Sequence, residues 1–558
     1  MSSLIVEIPQ GKLQGKESKS ILNGQKYYSF LGIPYAKPPI GDLRFQAPQP
    51  SEKWEGVYDA TFDRDACTQK DLAPPQAYSG SENCLFLSVD ILQLPNEVRV
   101  PKAVIVFIHG GGFSNGSASQ DIYSSDYLIQ HDIILVRFNF RQHVLGFLNL
   151  GLPECPGNAG LKDQTLAMKW VKENITHFGG NPDNVTLFGI SSGASSVHYH
   201  ILSPPSKGLF KKAIIQSGSA LSAWALTLDP KDKARKLGET FGFKGGSDQD
   251  LLNFLKKQTA EELTGHVMEM IENLMKEHPE KGINIPFAPS VEEIKEGAFL
   301  PELPHKLLKT PDPLPIIYGV DEKEGVMAFF IHQNKIWDLL KTDFSIVLKQ
   351  YFDIDSARLP EVSAKVKEFY FGDKEIGPDT ADHLIDLFSD IFFYQLYEPI
   401  EFVIDSSTPP YVYEFTYSGG LNFVKHMLSA IIKLDKGACH ADEQGYLFYS
   451  PKMFPNPTLE GDDLAVIQNI TELWTNFAKT GKPSDESIWS PSTSNQPRYL
   501  NINRTLELQE GNVYGTRLKF FRNLLEPVAK PYNAQWAVST LKTGVIQKLT
   551  MNPKKMVQ

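Results

Sequence analysis

Short apolar runs set off by glycine, proline and polar clusters recur along the chain, and their length and period predict its elements. Ala103–Ile108, Ile133–Phe138, Val185–Phe188, Ala213–Ile215, Pro313–Tyr318 and Tyr411–Phe415 are all of strand length. Most are apolar at nearly every position, as strands buried on both faces of a parallel sheet are. Between them, Leu166, Ala167, Trp170, Val171 and Ile175 fall at helical spacing and predict a helix over Asp163–Phe178. This alternation of strand and helix predicts an α/β fold: a mainly parallel central sheet with helices on both faces. From Leu4 to about Pro50, short alternating runs broken by Gly and Pro predict an N-terminal antiparallel part. Charged residues interleaved with periodic apolar ones predict helical insertions at about 229–300 and 335–405. No internal repeat or low-complexity segment interrupts the pattern, and 1–558 reads as a single large domain.

Composition narrows the function classes. Lys and Arg number 55 against 66 Asp and Glu, a net charge of −11 with no long basic run, which argues against a nucleic-acid partner. The apolar runs are far too short for an integral membrane segment. Glu7 interrupts Leu4–Val6 and no basic segment precedes them, so a cytoplasmic protein is expected, or a secreted one whose leader has been removed. Four cysteines are too few for a disulfide scaffold, although Cys67 and Cys84 are spaced to close one small loop. His198 and His200 lie two residues apart and so on different faces of a helix, which suggests no metal site.

The chemistry centres on Asn184–Ser196. An apolar strand runs into Gly189-Ile190-Ser191-Ser192-Gly193, a G-x-S-x-G pattern, and small residues follow where a helix would begin. A serine on so sharp a turn needs room on either side, which Gly189 and Gly193 provide, and Ser191 is the candidate nucleophile. Ala103–Ile108 runs straight into His109-Gly110-Gly111-Gly112-Phe113. Without a following Lys-Ser/Thr or a G-x-G-x-x-G frame this is a poor phosphate loop, whereas beside such an elbow it fits an oxyanion loop. Glu324 and His440 complete the order Ser, acid, His at strand ends. Asp321 and Glu322 compete for the acid position and are expected to be exposed.

Together these segments resemble the type-B carboxylesterases of the carboxylesterase and cholinesterase family, an α/β-hydrolase family. The resemblance is carried also by Phe30–Ala36, Gly41–Phe45, Glu82–Leu87, Pro156–Leu161, Phe178–Pro182, Gln216–Ser219 and Gly437–Glu443. It spans nearly the whole chain and is finest with insect intracellular esterases. It implies Ser191 as nucleophile, His440 as general base and then acid, and Glu324 as the acid that orients the imidazole. It further implies an oxyanion hole from the backbone N–H groups of Gly111, Gly112 and Ser192, a Cys67–Cys84 disulfide, and ion pairs Arg44–Glu82 and Arg141–Asp163. Ser217 is expected near the triad, with a plain turn serine as the equal alternative.

Where cholinesterases carry an acid before the nucleophile this chain has Ile190, and the Cys67–Cys84 loop has no tryptophan for a cation–π contact. Choline esters are therefore poor substrates. The expected pocket is apolar, with Phe113, Ile190, Phe287, Met327 and Ala328 as its candidate lining. The expected function is a serine carboxylesterase acting on uncharged esters through an acyl-enzyme, with detoxification of xenobiotic esters and covalent capture of organophosphates among its uses. A slow-turnover sequestering protein of the same fold, or a hormone or pheromone esterase, stays open beside it. The expected partner is a small-molecule ester, with no cofactor, and the expected assembly is a monomer or homodimer.

Overall fold

The apolar runs pair into an 11-stranded sheet in the computed structural model, which describes residues 4–70, 77–277, 285–308, 314–332, 335–349, 351–428, 437–525 and 529–531. Its strands, in chain order, are β1 (Lys16–Lys19), β2 (Lys26–Pro34), β3 (Phe86–Ile91), β4 (Lys102–Ile108), β5 (Ile134–Phe138) and β6 (Gly180–Ile190). They continue with β7 (Lys212–Gln216), β8 (Ile316–Asp321), β9 (Tyr411–Phe415), β10 (Arg498–Ile502) and β11 (Leu506–Glu510). Across the sheet the order is β11-β10-β9-β8-β7-β6-β4-β5-β3-β2-β1. From β5 to β10 every neighbouring pair is parallel, while β1, β2 and β3 at one side and β11 at the other are antiparallel. The Ile5–Ile8 and Gly11–Gln14 hairpin forms a separate small sheet with Val57–Asp59.

The two faces of the parallel core follow the two-residue period of the strands. Val104, Val106 and Ile108 of β4 join one apolar cluster, and Ala103, Ile105 and Phe107 join the other. Val185 and Leu187 of β6 go with the first, Phe188 and Ile190 with the second. Helix α1 (Ala159–Asn174) covers the first face through Ala167, Met168, Trp170 and Val171, and α2 (Ser192–Leu202) adds Ala194 and Val197. Helix α3 (Ala381–Val403) contributes Phe393, Leu396 and Ile400 to that face. The opposite face is covered by α4 (Gly461–Thr480), with Val466, Ile467, Ile470, Trp474 and Phe477.

Helix α1 begins at Ala159 rather than Asp163. Its start is fixed from outside: the Asn158 side chain donates to Ser290 O at 2.7 Å and accepts from Ser290 N at 2.9 Å. Further helices occupy Pro230–Thr240, Asp248–Leu255 and Ala260–Glu277 after β7, and Met327–His332, Lys335–Thr342 and Leu359–Phe371 ahead of α3. Parts of the expected insertions (278–284 and 350), Pro313 of the expected strand, and 71–76 of the cysteine loop lie outside the described residues. Cys67 and Cys84 are disulfide-bonded, and Cys155 and Cys439 are free and buried. Among the described residues no helix is long and apolar enough to cross a membrane.

Candidate active site

The carboxyl ends of the parallel strands converge on Ser191. The turn from β6 into α2 puts Ser191 at φ 57°, ψ −121°, a region costly for any residue with a side chain. Close packing holds it there. A Cβ on Gly189 would stand 2.3 Å from Gly193 O, and one on Gly193 would stand 2.1 Å from Ile108 O. Ser191 N donates to Gln216 O at 2.8 Å, tying the turn to the end of β7. A Cβ on Gly218 would stand 2.1 Å from Ser191 O, so the β7 loop closes over the turn as well.

The glycine loop after β4 packs against this turn. A Cβ on Gly110 would meet Ile190 O at 3.0 Å and Ser191 Cβ at 3.1 Å, so even a methyl group there would need the turn or the loop to give slightly. Gly111 and Gly112 have φ of 120° and 60°, and a Cβ on Gly111 would stand 1.9 Å from Asn115 O. Ser114 N and Asn115 N both donate to Gly111 O, at 3.0 and 3.1 Å. Gly116 is anchored by a reciprocal pair of bonds: its N–H donates to Gln69 Oε1 at 2.8 Å and its carbonyl accepts from Gln69 Nε2 at 3.0 Å. His109, stacked on Phe140 with ring centroids 4.7 Å apart, makes a 2.7 Å bond from Nδ1 to Gly110 O. Burial lowers its pKa to about 4, so the ring is neutral and Nδ1 is the donor. The N–H groups of Gly111 and Gly112 have no protein acceptor among the described residues, and Ser192 N heads α2, where backbone donors lack helical partners.

His440 and Glu324 come from the loops after β9 and β8. His440 Nδ1 lies 2.6 Å from Glu324 Oε2. The other carboxylate oxygen of Glu324 accepts from Ser217 Oγ at 2.5 Å and from Asp321 N at 2.9 Å. Ser217, at φ 55°, is held by its own N–H on Gly319 O at 2.9 Å. A hydrogen-bonded path thus runs from the β7 loop that carries Ser217, next to the acceptor of Ser191 N–H, through Glu324 to His440. Glu324 and Ser217 are buried, and the His440 ring packs edge-on against Phe392 at 5.6 Å. Gly325 is required because a Cβ there would stand 2.1 Å from Ile385 O of α3. Burial alone would lower the His440 pKa, but the charge and hydrogen bond of Glu324, with Glu443 and Asp442 behind it, hold it above the ordinary 6.5.

Asp321 corrects an expectation: it is fully buried, not exposed, and its Oδ2 accepts Ala441 N–H at 2.8 Å beside His440. Glu322 is part-buried as well. Sequence reading quoted Gln216 within a matching segment but gave it no role; its amide donates to Tyr413 Oη at 2.9 Å and its Oε1 accepts from Gln444 at 2.8 Å. Its position at the end of the short apolar run of β7 was the available signal. His198 and His200 serve structure: His198 Nδ1 accepts Ala220 N–H at 3.2 Å, and His200 Nε2 meets Gln164 Oε1 at 2.8 Å.

Of the candidate pocket residues, Phe113 and Phe287 are buried in one apolar cluster, Phe113 against Phe147 at 5.2 Å. Ile190 is buried in the cluster on the α4 face, and Met327 and Ala328 pack in the cluster under α3. Arg44 makes a two-pronged pair with Glu82 at 2.6 and 2.8 Å, and Arg141 pairs likewise with Asp163 at 2.6 and 2.8 Å. Among the described residues no group of three or more His, Cys, Asp or Glu is placed to hold a metal ion.

The family model described as "Carboxylesterase family" matches residues 2–521. Esterase FE4 of Myzus persicae is 34% identical over 90% of this chain and 89% of its own. Juvenile hormone esterase of Tribolium castaneum is 33% identical over 86% of this chain and 84% of its own. The crystal structure of juvenile hormone esterase from Manduca sexta, with OTFP covalently attached, superposes with a TM-score of 0.82 at 28% identity, covering 94% of this chain and 99% of that one.

Proposed function

Because the chain belongs to the carboxylesterase family and is a carboxylic ester hydrolase, we propose that Ser191 is its nucleophile, His440 its general base and then acid, and Glu324 the anion that orients His440. The observation that carries this reading is the Ser217–Glu324–His440 hydrogen-bonded path beside the strained Ser191 turn. His440 Nδ1–H is committed to Glu324, which leaves Nε2 to take the Ser191 proton as Oγ attacks the ester carbonyl. The N–H groups of Gly111, Gly112 and Ser192 receive the oxyanion. His440 then returns the proton to the leaving alcohol, and water repeats the sequence on the acyl-enzyme.

The preferred substrates in this reading are uncharged carboxylic esters with apolar parts, xenobiotic esters included, and organophosphates would be captured at Ser191. A second reading, hydrolysis of a hormone ester, is favoured by the named activity of the Tribolium and Manduca relatives. The Cys67–Cys84 disulfide is the chemistry of an oxidising compartment and favours the secreted alternative over the cytoplasmic one.

Ser191→Ala should reduce hydrolysis of short p-nitrophenyl esters by about four orders of magnitude or more, with unchanged circular dichroism. Turnover near the wild-type rate would sink the assignment. A panel of esters graded in acyl and alcohol size, with a juvenile-hormone-type ester among them, separates the two substrate readings by kcat/KM.

A further inference from the structure

Four buried carboxyl groups crowd the His440 loop: Asp321, Glu324, Asp442 and Glu443, each at most 1% exposed. Two of them are satisfied as anions. Glu324 is bonded by His440, Ser217 Oγ and Asp321 N. Asp442 accepts Cys439 N–H at 2.7 Å, Lys425 N–H at 2.8 Å and the Asn422 amide at 2.9 Å. The other two are not. Asp321 Oδ2 accepts Ala441 N–H and Glu443 Oε1 accepts Tyr413 O–H at 3.2 Å, but Asp321 Oδ1 and Glu443 Oε2 are buried with no donor.

The two side chains lie within hydrogen-bonding reach of each other. As two carboxylates they would repel in a medium with little screening, and both orphaned oxygens would stay unsatisfied. One proton between them removes both faults. We propose that Asp321 and Glu443 share a single proton and act as a positioning pair for His440, Asp321 donating to Glu443 Oε2 while its Oδ2 holds the backbone next to the imidazole. This rests on the reading of His440 as the base. The groups facing the pair are Glu324, His440, Asp442, the Cys439 thiol, Tyr413 of β9, and Tyr514, whose hydroxyl donates to Asp321 O at 2.6 Å.

Burial raises the Asp321 carboxyl well above its ordinary range, and the charges of Glu443 and Glu324 raise it further. The folded protein therefore keeps a proton that the unfolded chain has already lost. The contribution of this proton to stability is fully present below the ordinary carboxyl range and is lost as pH climbs toward the raised value. For one proton that loss is about tenfold in the folding equilibrium per pH unit.

The test compares urea unfolding of wild type, Asp321→Asn and Glu443→Gln at a series of pH values from about 5 to 9. Either amide keeps a donor between the two side chains but has no shared proton to lose, and the other buried carboxyls cancel in the difference. Each variant should gain on wild type by about tenfold per pH unit as pH rises, and parallel curves would overturn the proposal; if one variant does not fold, the other reads the same proton. Asp321→Ala, which also removes the acceptor of Ala441 N–H, should lower kcat by roughly tenfold or more with little change in KM, and Asp321→Asn should restore most of it. Equal losses in the two variants would count against the positioning role. The unfolding measurement needs no turnover, so the pair can fail while the triad stands, and the reverse.

Discussion

Ser191 is held by groups that carry no charge, whereas His440 is held by groups most of which do. The elbow is fixed by clearances: Gly189 against Gly193 O, Gly193 against Ile108 O, Gly218 against Ser191 O. The imidazole is fixed by Glu324, with Asp321, Asp442 and Glu443 behind it. Steric positioning is indifferent to pH and intolerant of added volume, because packed backbone atoms cannot give way. Electrostatic positioning tolerates isosteric change and responds to every nearby proton. The two sides of one site should therefore break under different insults.

The largest effect is expected on the steric side. Gly193→Ala sets a methyl carbon 2.1 Å from Ile108 O, so turn and β4 must separate. Such overpacking costs roughly 1–3 kcal/mol or more, and displacement of Ser191 should lower kcat/KM by about a hundredfold or more. Near-normal hydrolysis at unchanged pH dependence would show that the elbow is looser than its contacts. On the electrostatic side, His440 must be neutral to accept a proton, and its pKa is raised. The acid limb of kcat/KM should therefore lie above pH 6.5, falling about tenfold per pH unit below the raised value. A limb at or below the ordinary histidine value would mean that Glu324 does not carry a charge in the free enzyme. The smallest effect should come from Ser217→Ala, which removes one of the donors on Glu324 Oε1 and leaves Asp321 N–H in place. A hydrogen bond to a charged group contributes roughly 1.5–3 kcal/mol, and with the second donor retained kcat should drop by about tenfold or less, measured at saturating ester.

The steric side was also the more legible one. G-x-S-x-G and the triple glycine announce their clearances locally, because the residues that need the space and the residues that leave it lie close along the chain. Ala103–Ile108 and Tyr411–Phe415 are strands within a residue of their predicted ends, since a strand buried on both faces has few polar positions to blur it, Glu414 alone in these two. The electrostatic side is scattered. Asp321 sits in Asp-Glu-Lys-Glu, which looks solvated, and its partner is far along the chain at Glu443. The start of α1 at Ala159 is set by Asn158 binding Ser290, equally distant. The β10–β11 hairpin and α4 went unread although Leu500, Ile502 and the α4 stripe are apolar, because β10 and α4 pack on strands laid down much earlier.

Ser217 and Glu324 are 107 residues apart, and Glu324 and His440 are 116 apart. Contacts of such long range are among the slowest to form as a chain collapses. In the proposed mechanism a partly folded form that lacks the Glu324–His440 contact has no oriented base, so hydrolytic activity should appear only once the loops after β8 and β9 have met. On that reading the nascent chain should stay inert toward esters until the His440 loop has left the ribosome and docked.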